Sequence, residues 1–267
     1  MQLQLPGVVA MIQLRTNKNK KLYALFLLIE LVLYLCFLYI DIFRGEEYRI
    51  SSIIKFISIV GCLMFSILVL EQQEDFKSVY LIRVAMFFTV ISDVFLLLTS
   101  EIEKGIFTFC IVQGIYRYYL WKVRRIDIRK DIRKDIRNDR RKDRFSIFIY
   151  APNVMIGLMI TIIMYTLSLE VNRVLIITTF YFTSILINVV VAFRLALKVK
   201  KAFITIFAIG MFLFLLCDIN VGIFNLSEFL YVDGQLFQTL YLFSTVGMWL
   251  FYLPSQVLLV LSFGFNE

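Results

Sequence analysis

The sequence predicts an all-α, polytopic transmembrane helical bundle of eight spans, with both termini cytoplasmic. Three observations carry that prediction. Hydrophobic residues fill 60% of the 267 positions, and the mean hydropathy is +0.82. They fall in blocks close to the roughly 20 residues that a helix needs to cross a bilayer. Basic residues gather in alternate connections between the blocks, the asymmetry that fixes orientation. Strand-like alternation is absent from the sequence, so a membrane β-barrel is not expected, whereas helices satisfy their own backbone polar groups in lipid.

The spans form a single transmembrane domain over residues 1–267. The first, 22–40, follows Arg15, Lys18, Lys20 and Lys21 and carries Glu30 near its middle. No cleavage-site pattern comes after it, so no removable signal is expected. The second, 53–70, opens at Lys55, and the third, 80–98, holds Arg83 near its inner end and Asp93 in VISDVFLLL. The fourth, 105–121, contains Gln113 and Arg117 and ends in Tyr116, Tyr118, Tyr119 and Trp121, which read as an inner aromatic belt. The fifth and sixth are 146–167 and 173–193. The seventh, 202–220, carries Asp218 in FLFLLCDIN, and the eighth, 239–262, carries Tyr252 and Gln256. Most connections are short, which makes successive spans antiparallel neighbours.

Charge sets the orientation. With the N-terminus inside, inner segments hold 21 of the 28 lysines and arginines, twelve of them between Lys122 and Arg144. Outer segments hold Arg44, Arg49, Lys104 and Arg173, and the outer loop 221–238 has Glu228 and Asp233 with no base. The inner loop 122–145 repeats aspartate every four residues, from Asp127 to Asp143, a spacing that favours helix with i,i+3 ion pairs. It reads as a topology-fixing segment drawn to anionic headgroups rather than a nucleic-acid-binding arm, and no nucleic-acid partner is expected.

The chain has no histidine, which removes Ser-His-Asp hydrolysis, HExxH proteolysis and histidine metal sites. Carboxylate-only metal spacing is not recognisable, so no metal or cofactor is expected. Cys36, Cys62, Cys110 and Cys217 all lie in apolar spans without a CxxC pair and read as small buried side chains.

What remains is a set of polar groups inside apolar helices. A carboxylate in hydrocarbon costs several kcal/mol unless it is protonated, paired or wetted. Asp93 and Asp218 lie near the outer ends of the third and seventh spans, and Lys55 shares that depth on the second. If these helices adjoin, the three line one polar cavity open to the outer leaflet. Lys55 fits snorkelling to the headgroups equally well, and Asp218 fits a helix-terminal role. Glu30 is a candidate partner for Arg117, Arg83 is placed to snorkel, and Gln113 and Gln256 are placed to bridge helices. The two halves are faintly alike: Asp93 and Asp218 each sit on a third span, with Phe87 and Phe212 six residues earlier.

Five segments resemble the lysoplasmalogenase (YhhN-like) family of eight-span membrane enzymes. They are KFISIVGCLMFSIL from Lys55, SDVFLLL at 92–98, GIFTFCIVQGIY at 105–116, GMFLFLLCDI at 210–219 and YLPSQVLLVLS at 252–262. Ser92 stands where that family usually has Gly, Cys217 where it has Ser, and Gln113 at its His position. The resemblance implies hydrolysis of the vinyl-ether bond of a lysophospholipid of the lysoplasmalogen class, giving a fatty aldehyde and a glycerophospho-base. Such a bond is cleaved by protonating its β-carbon. Burial in an apolar site and a second carboxylate nearby both favour a carboxyl that keeps its proton for that step. Asp93 and Asp218 would be the catalytic pair, with the more apolar flanks of Asp93 favouring it as the acid. Lys55 would hold the phosphate, and Gln113, Tyr116, Tyr252 and Gln256 would orient substrate or water. Two other classes fit the same residues: a non-catalytic lipid-binding or sensing protein, and a small proton-coupled transporter. The expected home is a plasma membrane in a bacterium or an endomembrane in a eukaryote.

Overall fold

A computed structural model describes residues 6–44, 49–70, 76–132, 173–225 and 234–262, with isolated helical residues between 155 and 166. Among the described residues there is no strand. The helices are α1 (Pro6–Arg44), α2 (Arg49–Leu70), α3 (Phe76–Asp93), α4 (Ile102–Ile132), α5 (Arg173–Val199), α6 (Ala202–Phe224) and α7 (Gln235–Leu261). Every predicted span except the fifth coincides with one of them, the third running on past the end of α3. The fifth span, 146–167, is described only at those isolated helical residues, and most of the charged loop lies outside the described residues, although the start of that loop continues α4 as helix to Ile132. Among the described residues, six stretches are long and apolar enough to cross a membrane: Lys20–Arg44, Arg49–Leu68, Tyr80–Leu98, Arg173–Val199, Ala202–Phe224 and Gln235–Leu261.

Each helix packs on the next in sequence, from α1 to α7, with α4 against α5 across the charged loop. The circuit closes where α7 meets α2, and α1 lies against both. The polarity of the bundle is inverted relative to a water-soluble protein. Leu28, Leu35, Phe43, Phe87, Leu197 and Phe243 face outward, while Glu30, Lys55, Asp93, Gln113, Arg117 and Asn188 are buried. Hydrocarbon asks for that arrangement, because apolar side chains lose nothing by facing lipid and polar groups need partners that lipid does not supply.

Small residues set the closest approaches. A Cβ on Gly210 of α6 would stand 3.2 Å from the Leu259 backbone nitrogen on α7, and one on Gly247 would stand inside the Asn220 side chain. Pro254, inside α7, leaves the carbonyl of Leu250 without its usual helical donor. Tyr34 of α1 donates its hydroxyl to that carbonyl at 3.0 Å. Arg83 donates from Nε and Nη2 to the carbonyls of Ser66 and Ile67, near the end of α2. That places a cation where the helix dipole favours one.

After Asp93 the α-helical pattern changes. Residues Val94–Leu98 form a π-helical turn, closed by Thr99 N–H donating to Val94 O at 3.1 Å. The segment is anchored from both sides. Ser92 donates its hydroxyl to Gly105 O at 2.6 Å, and a Cβ at Gly105 would overlap Leu96. Wide turns of this kind re-aim the preceding side chains and recur at functional sites.

The expected aromatic belt is divided. Tyr118 is exposed and stacks on Trp121 at 5.6 Å, with the Arg125 guanidinium over the Trp121 ring. Tyr116 and Tyr119 instead turn into the core against Phe207, at 5.6 and 5.0 Å between ring centroids. Their one-turn spacing puts them on the inward face of α4, whereas Tyr118 falls on the opposite face.

Candidate functional site

Asp93 is 2% exposed, at the point where α3 passes into the π-helical turn. Tyr252 of α7 donates its hydroxyl to it, 2.9 Å from Oδ1 and 2.8 Å from Oδ2. One phenol thus spans both carboxyl oxygens from the far side of the interior. Asp218 on α6 is held in the same manner by a different helix: Tyr181 of α5 donates to its Oδ2 at 2.8 Å. Among the described residues no lysine or arginine forms an ion pair with either aspartate.

Lys55 is deeply buried, and it is joined to Asp41 of α1 by a 2.8 Å ion pair. Ser51 donates its hydroxyl to the other oxygen of Asp41 at 2.5 Å. The Lys55 ammonium also lies over the Trp249 ring, 4.4 Å from its centroid. The snorkelling expectation for Lys55 therefore fails, because its charge is matched inside the bundle and not at the headgroups. The anticipated role of an isolated cation for phosphate changes with it: any anion reaching Lys55 competes with a carboxylate already in place.

Aromatic rings join the three groups. Trp249 meets Tyr252 edge to face at 5.3 Å. Tyr252 meets Phe109 at 6.4 Å and Phe214 at 5.8 Å. Phe109 in turn meets Tyr181 at 5.9 Å. The sequence Lys55, Trp249, Tyr252, Phe109, Tyr181 runs from α2 through α7 and α4 to α5, with a carboxyl on each tyrosine. The arrangement offers a buried carboxyl at Asp93, a half-buried one at Asp218, an ion pair at one end and an apolar, π-rich wall between them.

The other candidates lie elsewhere. Gln113 accepts from Asn188 Nδ2 through both its backbone oxygen and Oε1, at 2.9 and 2.8 Å. Asn188 in turn accepts from Arg117 Nε, and Arg117 Nη2 donates to Ser184 O. Gln113 is thus part of an α4–α5 clamp. The Glu30–Arg117 pair is not formed: Arg117 serves α5, and Glu30 lies against Gly61 of α2. Tyr116 and Gln256 are fully buried, with Gln256 Nε2 donating to Ser255 Oγ at 3.2 Å.

Sequence reasoning missed Asp41, Tyr181 and Trp249. Asp41 had a usable signal: the short α1–α2 connection puts the end of α1 beside the start of α2, so Asp41 and Lys55 share one depth. Tyr181 had none, as one of fourteen tyrosines in an apolar span.

The chain belongs to the YhhN family, whose model matches residues 50–263, most of its length. No curated protein and no solved structure matches it.

Proposed function

We propose that this member of the YhhN family is a membrane-embedded hydrolase that cleaves the vinyl-ether bond of lysoplasmalogens. One observation carries the reading: a buried carboxyl and a half-buried one, each held by a tyrosine and neither paired with a cation among the described residues, border one aromatic wall. Paired carboxyls with distinct surroundings are the general means of running acid and base steps in a single site.

The chemistry divides between them. Asp93, the more deeply enclosed, gives its proton to the β-carbon of the vinyl ether. The alkenyl π-electrons form the new C–H bond, and the positive charge settles on the adjacent carbon and ether oxygen as an oxocarbenium ion. The faces of Tyr252, Phe109 and Phe214 supply negative quadrupole density beside that cation. Asp218 takes a proton from water as its oxygen adds to the cationic carbon. The resulting hemiacetal collapses to the aldehyde and the free glycerol hydroxyl. Lys55 meets the substrate phosphate by exchanging part of its bond to Asp41, while Ser51 holds the Asp41 carboxylate. No cofactor enters any step.

Purified protein incubated with a lysoplasmalogen should release fatty aldehyde, and an ordinary ester-linked lysophospholipid should give none. Asp93→Asn and Asp218→Asn should each abolish release while the protein still inserts in membranes. Undiminished turnover in either variant removes that residue from the mechanism. Substrate moved across sealed vesicles without aldehyde would make the protein a transporter, and lipid affinity without turnover would make it a binding module.

A further inference from the structure

When Lys55 turns to a substrate phosphate, Asp41 loses its cation. Both residues are buried, and the two oxygens of Asp41 are served differently. Oδ1 accepts from Ser51, in the first turn of α2, at 2.5 Å. Oδ2 has the 2.8 Å ion pair to Lys55 and, among the described residues, accepts no hydrogen bond beyond it. A carboxylate that loses its cation inside a protein is strongly destabilised, because nothing replaces its lost hydration. A ligand that draws Lys55 away must therefore bring a cation to Asp41.

The surroundings of the Lys55 ammonium already suit such a cation. It lies over the Trp249 ring, 4.4 Å from the centroid, and over the Phe37 ring at 5.9 Å. The two rings, one from α7 and one from α1, meet edge to face at 6.0 Å. Aromatic faces present negative quadrupole density, and with a carboxylate as countercharge they bind ammonium and quaternary ammonium groups. The seat of the Lys55 ammonium is thus a cation site that the chain fills with its own side chain. Phe37 and Asp41 are carried by α1, which packs on α2 and α7 and is the least buried of the six apolar stretches. It is the wall of the seat with the least packing to lose. Both residues precede residue 50, where the match to the YhhN family begins.

We infer that Asp41, Trp249 and Phe37 form an ammonium subsite, closed at rest by Lys55, and that it selects a zwitterionic headgroup carrying both a phosphate and an ammonium. Lys55 passes from Asp41 to the phosphate oxygens, and the headgroup ammonium takes its place at Asp41 beside the two rings. Two ion pairs replace one, and no charge is stranded. Ser51 holds the carboxylate through the exchange. A headgroup that is only anionic satisfies Lys55 and strands Asp41, and one that is only cationic strands Lys55. Asp41 is therefore the residue that reads the base of the headgroup. The inference deepens the hydrolase reading, on which the place of the phosphate rests, but the binding it describes needs no turnover.

Trp249 itself reports on the seat. The chain has two tryptophans, and Trp121→Phe leaves Trp249 as the sole indole. That protein, in maltoside micelles, is titrated with three single-chain lipids of equal chain length and without a vinyl ether: an alkyl phosphocholine, an alkyl phosphate and an alkyl trimethylammonium. The phosphocholine should shift Trp249 emission and bind tighter than either of the others by about tenfold or more, since each of those strands a buried charge. Adding Asp41→Asn should cut the preference for phosphocholine over phosphate by about tenfold or more. Trp249 emission indifferent to the phosphocholine, equal affinity for phosphocholine and phosphate, or a preference unchanged by Asp41→Asn each overturns the inference. Should Asp41→Asn fail to fold, Lys55→Met with Asp41→Leu removes both charges and should likewise lose the preference. A preference that depends on Asp41, in a protein that releases no aldehyde from lysoplasmalogen, leaves the subsite standing and removes the hydrolase reading. Aldehyde release without the preference does the reverse.

Discussion

Tyr252 is the residue through which the site is assembled, since it holds both oxygens of Asp93 and touches Trp249, Phe109 and Phe214. Removing its hydroxyl leaves the ring in place and takes away the donor. A hydrogen bond to a charged or charge-developing group contributes about 1.5–3 kcal/mol. Tyr252→Phe should therefore slow aldehyde release by about tenfold or more at saturating substrate, and should lower the melting temperature too, since it leaves a buried carboxyl without its donor. Tyr181→Phe should act in the same direction through Asp218. A Tyr252→Phe enzyme with full turnover would show that Asp93 does not depend on this phenol. Lys55 makes a different prediction. Lys55→Met strands Asp41 as a buried charge, a loss of about 3 kcal/mol or more, whereas Lys55→Met with Asp41→Leu removes both charges and should recover most of it. Thermal melting in lipid nanodiscs separates the two, and equal loss in the single and double variants would mean that the pair is not coupled. The contrast with Asp93 explains what was legible in the sequence. Asp93 and Asp218 declare themselves, because a carboxyl inside an apolar run is anomalous on one helix alone. Their tyrosines and the Lys55 partner depend on which helices adjoin, and no single segment records that.

At the scale of the helices, the apolar blocks gave their positions because length and hydropathy are local properties. The π-helical turn at Val94–Leu98 was not legible, since nothing in VFLLL opposes an α-helix. It depends on the next helix, where Gly105 admits Leu96 and accepts from Ser92, and on Ser100 taking φ 56 at the reversal. The Gln113 clamp was hidden in the same way, its partner Asn188 lying 75 residues along the chain. The contact of α6 with α7 offers a sharp test of such packing. A valine at Gly210 would press on Leu259 side chain and backbone together, and overpacking of this kind costs about 1–3 kcal/mol. A Cβ on Gly222, on the same helix, would meet nothing within 4 Å, so alanine there should be neutral or stabilising by up to about 1 kcal/mol. Melting curves of Gly210→Val and Gly222→Ala, taken side by side, check the pair. An unaffected Gly210→Val protein would mean that α6 and α7 are not in this close contact.

For the whole molecule, the inward polar groups and outward apolar groups fix which surfaces meet lipid, but the direction in which the bundle sits comes from charge. Inner segments hold 21 of the 28 bases, and the positive-inside rule then directs Asp41, Ser51 and Lys55 toward the outer leaflet. The hydrolase reading depends on that direction, because it decides which leaflet supplies the lysolipid and which side receives the glycerophospho-base. It is open to a direct measurement. In a protein whose four cysteines are replaced, single cysteines go in at Ser227, between α6 and α7 in the sequence, and at Asn138, in the basic stretch 122–145. A membrane-impermeant maleimide added to intact cells or right-side-out vesicles should label Ser227→Cys at once. It should reach Asn138→Cys only after permeabilisation. The reverse pattern would turn the site toward the inner leaflet, leave the chemistry of Asp93 and Asp218 untouched, and require a cytoplasmic-leaflet lipid as the substrate. Labelling of both from one side would break the odd number of crossings expected between the two loops and with it the eight-span reading, since the fifth span must cross for 122–145 to lie inside while α5 begins outside at Arg173.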